Sequence, residues 1–301
     1  MGIEMNTITL RHTAKRWGIT LIMFTLIFGY ANAAEIRADP RRERWGAILE
    51  GVIEKGDASK LEKYIDPDHM PVQLFLASPG GDLIEAMKIG TLARKLKITT
   101  VIPENYDSEL NALAAKRFGI KDFKNHYICA SACFLIYIAG IYLDSAFSGL
   151  KKPLLGIHKP YLAPDDLMSL DGDQAIIQAN NTKKLVETYL SEMGIKHKYI
   201  DEMFSIPKDS LRWISQDEFS HDFRGFIPQL KDWADARCDK FTTMENKIWA
   251  ENAYRLNSEM TANVKEIIKT LILKRADQVR CEQDLAERLS VSAYLEYFNI
   301  K

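Results

Sequence analysis

Three short stretches carry residue types able to do nucleophilic chemistry. The first is Tyr127 to Gly140, an apolar run of helical length in which Ser131 is held between Ala130 and Ala132 and between Cys129 and Cys133. Small neighbours leave that hydroxyl open to close approach by another chain. If Tyr127–Cys129 ends a strand and a helix begins at Ala130, Ser131 stands at a helix N-terminus, where the dipole and free N–H groups favour developing negative charge. A serine there reads either as a nucleophile or as an N-cap or core hydroxyl. The second stretch, Leu154 to Tyr161, is an apolar strand ending in His158 and closed by Pro160. Histidine at a strand end can project into a cleft, and its titration near neutrality suits a general base; the other reading is a partly buried structural histidine. The third is Ser78-Pro79-Gly80-Gly81-Asp82. Its glycines let the backbone turn sharply and leave N–H groups bare for an anion, or they make only a tight loop. Asp209 is an acid in a turn, by itself a solvated turn residue, and His69, His126, His197 and His221 sit among polar residues without comparable context.

These residues need elements to hold them. Ala47 to Ile53 reads as a strand interrupted by Gly51. Gly56 to Tyr64 reads as a helix capped by Asp57 or Ser59. Pro71 to Ala77 is a short apolar strand, and Leu83 to Leu96 has helical apolar spacing. Thr99 to Ile102 is the next strand, so a strand, glycine turn, helix and strand follow one another. That order predicts parallel pairing with a right-handed crossover. Glu104 to His126 is polar, carries a predicted helix at Ser108 to Phe118, and reads as an inserted lid. Gln174 to Met193 is an amphipathic helix with Ile176, Ile177, Leu185, Val186, Tyr189, Leu190 and Met193 as its stripe. A further helix runs from His197 to Phe204, and Ser215 with Glu218 forms a capping box. Beyond Pro228 no strand signal remains, and two or three helices are predicted to pack as a hairpin.

The 301 residues suffice for one substantial core with an appended smaller element. A formal charge of −1 gives no reason to expect nucleic acid as partner. There is no zinc-type Cys/His spacing and no P-loop, so no metal or cofactor is expected. Arg11, Lys15 and Arg16 precede the apolar run Trp17 to Tyr30 and then Ala31-Asn32-Ala33. This is the pattern of a secretory signal peptide cleaved after Ala33, a membrane anchor being the alternative. An exported protein reaches an oxidising compartment, where the four cysteines have Cys129–Cys133 and Cys238–Cys281 as candidate pairings.

Taken together in order and spacing, Leu49-Glu50-Gly51-Val52-Ile53, Ser78-Pro79-Gly80-Gly81, Cys129-Ala130-Ser131-Ala132, Gly156-Ile157-His158-Lys159-Pro160 and Asp209 resemble the proteolytic subunit of the Clp protease. The likeness is greater to exported bacterial relatives with a Cys-x-Ser-x-Cys motif, and it covers about residues 45–228. It implies an α/β fold of ClpP/crotonase-like stacked ββα units, here with an appended C-terminal helical module. The expected organisation is a signal peptide at 1–33, a peptidase domain at 34–228 and a helical extension at 229–301. The resemblance also implies Ser131 as nucleophile, His158 as general base and Asp209 as the acid orienting it. Gly81 and Ala132 would supply the oxyanion N–H groups. The expected function is that of a periplasmic or secreted serine endopeptidase acting without ATP or an ATPase partner, on peptides or unfolded chains, and forming a homo-oligomer. The competing expectations are a catalytically inactive scaffold that binds an envelope partner through its C-terminal helices, and an acyl-CoA enzyme on the same fold, against which export argues.

Overall fold

The computed structural model describes residues 33–105, 116, 118–146, 152–160, 171–207, 210–252 and 260–300. The expected signal peptide and most of the expected 108–118 helix lie outside the described residues, as does Asp209.

A six-stranded sheet is built from β1 (Glu35–Asp39), β2 (Glu43–Glu50), β3 (Gln73–Ala77), β4 (Thr99–Ile102), β7 (Tyr142–Ser145) and β11 (Gly225–Phe226), in that spatial order. The four central strands run parallel, and β1 and β11 close the edges antiparallel. Both faces of a parallel sheet must be covered, which explains runs that are apolar without alternation. Leu74 and Leu76 of β3 enter the main core, whereas Phe75 and Ala77 join a smaller cluster with Ile48, Val101, Phe118 and Tyr127. Alternate residues therefore serve opposite layers.

At their C-terminal ends β2 and β3 bend into a second layer. Val52 bridges Ala33, Ile53 bridges Gly81 and Ser78 bridges Cys129. From there the layer continues through β6 (Cys129–Ala130), β9 (Leu155–Ile157) and β10 (Arg212–Trp213). A short two-stranded ribbon, β5 (Glu104–Asn105) with β8 (Lys152–Pro153), follows β4 and precedes β9 in the chain.

The helices cover the main core. They begin with α1 (Asp57–Tyr64), α2 (Leu83–Lys95), α3 (Phe123–His126) and α4 (Ala132–Tyr137). After these come α5 (Gly172–Glu192), α6 (His197–Ser205) and α7 (Gln216–Asp222). The expected side-chain cap of α1 is not made: Gly56 occupies the cap position, and Asp57 is buried with its carboxylate accepting from the Glu54 N–H at 2.7 Å. The free Ala58 N–H instead finds Glu85 of α2, at 3.1 Å. The α5 stripe also divides. Val186, Tyr189, Leu190 and Met193 are buried, while Ile176, Ile177 and Leu185 remain exposed. The Ser215/Glu218 capping box forms as expected.

The described end of the 104–126 segment is packed down on the sheet. Phe118 stacks on Phe75 at 3.8 Å between ring centroids. The buried Glu50 carboxylate accepts from Lys121 N (2.7 Å), Asp122 N (3.0 Å) and the Arg37 guanidinium (2.9 Å). His126, whose surroundings in sequence are polar, is buried with Nδ1 3.6 Å from Glu50.

The C-terminal helices are α8 (Pro228–Asp235), α9 (Thr243–Asn252) and α10 (Ala262–Tyr297). A disulfide joins Cys238, just past α8, to Cys281 of α10. Along α10, Ser290 donates to the Leu96 carbonyl (3.0 Å), Tyr294 donates to the Pro71 carbonyl (2.9 Å), and Gln283 donates to the buried Asp144 carboxylate (3.0 Å). Tyr294 is fully buried in the main core. These helices and residues 33–228 belong to one compact unit.

Candidate active site

Ser131 occupies the corner between β6 and α4 with φ 58° and ψ −125°. Only glycine adopts such a backbone without strain, and a non-glycine residue held there costs about 1–3 kcal/mol. The surroundings fix it. Its N–H donates to the Gly156 carbonyl at 3.0 Å, and its carbonyl accepts from Phe134 N at 3.0 Å. Although Ser131 sits at the N-cap position, its side chain accepts no helix N–H. The simple capping reading therefore fails. A sharp strand-to-helix corner that thrusts out an uncommitted hydroxyl is the geometry of a nucleophile elbow.

Two features hold α4, only six residues long, in place. Cys129 and Cys133 are joined by a disulfide, both fully buried, so a covalent link crosses the corner from strand to helix. At the other end Arg94 of α2 donates to the carbonyls of Ala139 (2.7 Å) and Ile138 (3.0 Å). A cation there answers carbonyls that the helix leaves unpaired and opposes the negative end of its dipole. Burial lowers the Arg94 pKa from its ordinary value, yet guanidinium stays charged.

Opposite Ser131 lies the Ser78–Gly81 turn. Gly80 and Gly81 have φ 107° and 139°. A Cβ on Gly80 would come within 2.5 Å of the Ser131 Cβ and 2.9 Å of its Oγ, and one on Gly81 would meet the Ile53 carbonyl oxygen at 2.1 Å. The Gly80 N–H is engaged by Ser78 Oγ at 3.1 Å. Ile53 donates to the Gly80 carbonyl (2.8 Å) and accepts from Asp82 N (2.7 Å). The bonds of this parallel bridge are made by Gly80 and Asp82, not by the Gly81 N–H. Among the described residues the Gly81 N–H donates to no acceptor. Ala132 is the first residue of α4, so its N–H has no intrahelical acceptor either. The Ala132 N–H thus lies at the serine corner itself, and the Gly81 N–H in the turn whose Gly80 faces Ser131. Asp82 caps α2, accepting from Glu85 N at 2.8 Å.

His158 follows directly on β9, whose Leu155 and Gly156 pair with Cys129 and Ala130. Serine and histidine therefore emerge at the same ends of two adjacent parallel strands, about 4.8 Å apart. His158 Nδ1 lies 2.6 Å from the Lys159 carbonyl oxygen. A carbonyl only accepts, so in the neutral ring this contact places the proton on Nδ1. Of the remaining expected site residue, Asp209, nothing is described. The chain after it is held in place, since Ile214 N donates to Leu155 O at 2.9 Å.

Arg212 of β10, which carries no chemical signal in the sequence, pairs with Glu202 of α6 at 2.7 Å and with Glu218 of α7. Burial raises the Glu218 carboxyl, but Arg212 beside it, with the Ser215 N–H and hydroxyl, outweighs this and holds it at about 2. The group locks β10 to the helices beneath. An arginine with acids six and ten positions away gives no local spacing from which to foresee it.

No protein-family model matches the chain, and no match is found among the curated proteins.

Proposed function

We propose that the protein is an exported serine peptidase of the Clp proteolytic-subunit type. The observation that carries the proposal is Ser131, at a strained strand-to-helix corner with a side chain not used in capping. In this reading Ser131 Oγ attacks the scissile carbonyl while His158 Nε2 accepts the hydroxyl proton. The imidazolium then returns that proton to the leaving amine, and water repeats the cycle on the acyl-enzyme. The oxyanion develops between Gly81 N–H and Ala132 N–H, each such donor being worth about 2.7–4 kcal/mol. The Lys159 carbonyl supports the required tautomer, and Asp209 is proposed as the acid that stabilises the imidazolium.

Two disulfides suit a protein that folds in an oxidising compartment. Among the described residues no helix is long and apolar enough to cross a membrane. ATP is scarce outside the cytoplasm, so the substrates proposed are peptides or chains already unfolded. Hydrolysis of a fluorogenic peptide library tests the reading. Turnover by the signal-free protein that disappears in Ser131→Ala supports it; equal turnover by both refutes it.

A further inference from the structure

Ser131 is the middle residue of the stretch from Cys129 to Cys133, which the disulfide closes on itself. Cys129 belongs to β6 and Cys133 is the second residue of α4, so the bond spans the corner and nothing else. With Ser131 extended, as an ordinary cap residue is, β6 would run on at about 3.3 Å per residue. That course carries Cys133 away from Cys129, whereas bridging needs the two Cα atoms within about 7 Å. Here they lie 5.3 Å apart. The bond therefore favours the turned-back corner, with its φ of 58°, over the extended cap.

Little else imposes that corner. The hydrogen bonds of Ser131 to Gly156 and Phe134 hold it once it is formed. The helix itself has six residues, against the roughly 12–15 at which an isolated helix becomes marginal. Without the cross-link the strained serine relaxes toward an ordinary cap, in which its hydroxyl is spent on a helix N–H.

We propose that the Cys129–Cys133 disulfide is a redox switch that activates Ser131: a chain folded without it carries an inactive serine, and oxidation completes the site. This rests on the serine peptidase reading. The chemistry needs a disulfide carrier of the glutathione or dithiol-oxidase kind. One cysteine thiolate attacks the carrier and expels a thiol, and the second thiolate resolves the mixed disulfide. The carrier leaves with two electrons and two protons. A reducing cytoplasm keeps the thiols reduced, so a chain that folds before export stays inactive there. Both cysteines are fully buried, so the bond is made as the chain folds and is then out of reach of reductants. Cys281 of the second disulfide is partly exposed.

The test folds the signal-free protein twice, with glutathione disulfide and with a phosphine reductant, and times fluorophosphonate labelling of each. Peptide mass mapping reports which cysteines are paired. The oxidised form is expected to label roughly 20–30-fold faster, the factor to which a bond closing so short a loop corresponds. Cys129→Ala/Cys133→Ala should label as slowly as the reduced form. Cys238→Ala/Cys281→Ala should label as fast as oxidised wild type, although it is the less stable of the two variants. That inversion separates a positioned serine from a weakened fold. Brief reductant treatment of the folded, oxidised protein should open Cys238–Cys281 and leave labelling unchanged. Equal labelling of the oxidised and reduced forms would overturn the switch, as would an unaltered rate in Cys129→Ala/Cys133→Ala. Loss of the folded circular-dichroism spectrum in that variant would overturn it too, because the bond would then hold the fold rather than the corner. Oxidised wild type that is not labelled at all would overturn the serine peptidase reading itself, and the switch with it.

Discussion

Gly80 and Ser131 face each other so closely that the smallest side chain at Gly80 would fall 2.5 Å from the serine Cβ. The turn and the elbow are thus complementary surfaces, each with positive φ and each shaped by the other. Substitution at one should be felt at the other.

Gly80→Ala is expected to lose about 1–2 kcal/mol from its positive φ alone. The clash with the Ala130 carbonyl, 2.8 Å from the added carbon, comes in addition. Because a shift of about 1 Å at a reacting group lowers rates on the order of 100-fold, fluorophosphonate labelling should fall by that factor. Thermal melts and labelling rates measured on the same preparation separate the two effects.

Arg94→Ala removes the partner of the Ala139 and Ile138 carbonyls. Each buried acceptor left unpaired costs about 1–3 kcal/mol, so denaturant unfolding should show a loss of about 2–4 kcal/mol. Arg94→Lys offers one point charge in place of a planar fork and should recover only part of it.

The two disulfides should differ in weight. Cys238–Cys281 closes a loop with a sequence separation of 43, and Cys129–Cys133 one of only 4. In the chain-entropy description their removal costs about 4 and about 2 kcal/mol respectively. Chemical unfolding of the paired Cys→Ala variants is expected to give that order. Loss of Cys129–Cys133 should nevertheless be the one that slows labelling of Ser131.

Acid stability follows from Glu218 and Asp222, each held at about 2. For Asp222, burial raises the carboxyl, but Lys196, Tyr199 and Lys198 overcome it. Groups with folded pKa values below their ordinary values of 4.5 and 3.8 stabilise the fold at higher pH. That contribution is lost as pH drops from those values through about 2. Melting temperature should decline across this window, and Glu218→Gln should decline less steeply because part of the linkage is already gone.

How much of this was legible beforehand depends on how local each signal is. The β3–turn–α2 unit and the β6–Ser131–α4 corner are encoded in contiguous residues: an apolar run, two glycines, and small residues around a serine. The Ser215–Glu218 capping box is equally local and forms as expected. Most of the missed features depend on distant partners. Asp57 is drawn away from capping by the Glu54 N–H, and α1 is capped from α2 by Glu85. His126 is buried because Glu50 gathers the 118–126 segment onto the sheet. The exposed face of β10 follows from its antiparallel register with β9, to which nothing in Leu211-Arg212-Trp213 alone points. Ser131 falls between the two cases: its position at a helix start is local, but its strained φ is imposed by Gly80, Gly156 and Phe134 around it.

The most direct measurement is mass-spectrometric mapping of the adduct formed when the signal-free protein is treated with a fluorophosphonate. The account predicts one adduct, on Ser131, absent in Ser131→Ala and formed on the order of 10²–10⁴-fold more slowly in His158→Ala. A folded wild type that stays unlabelled, or an adduct that persists in Ser131→Ala, would contradict it.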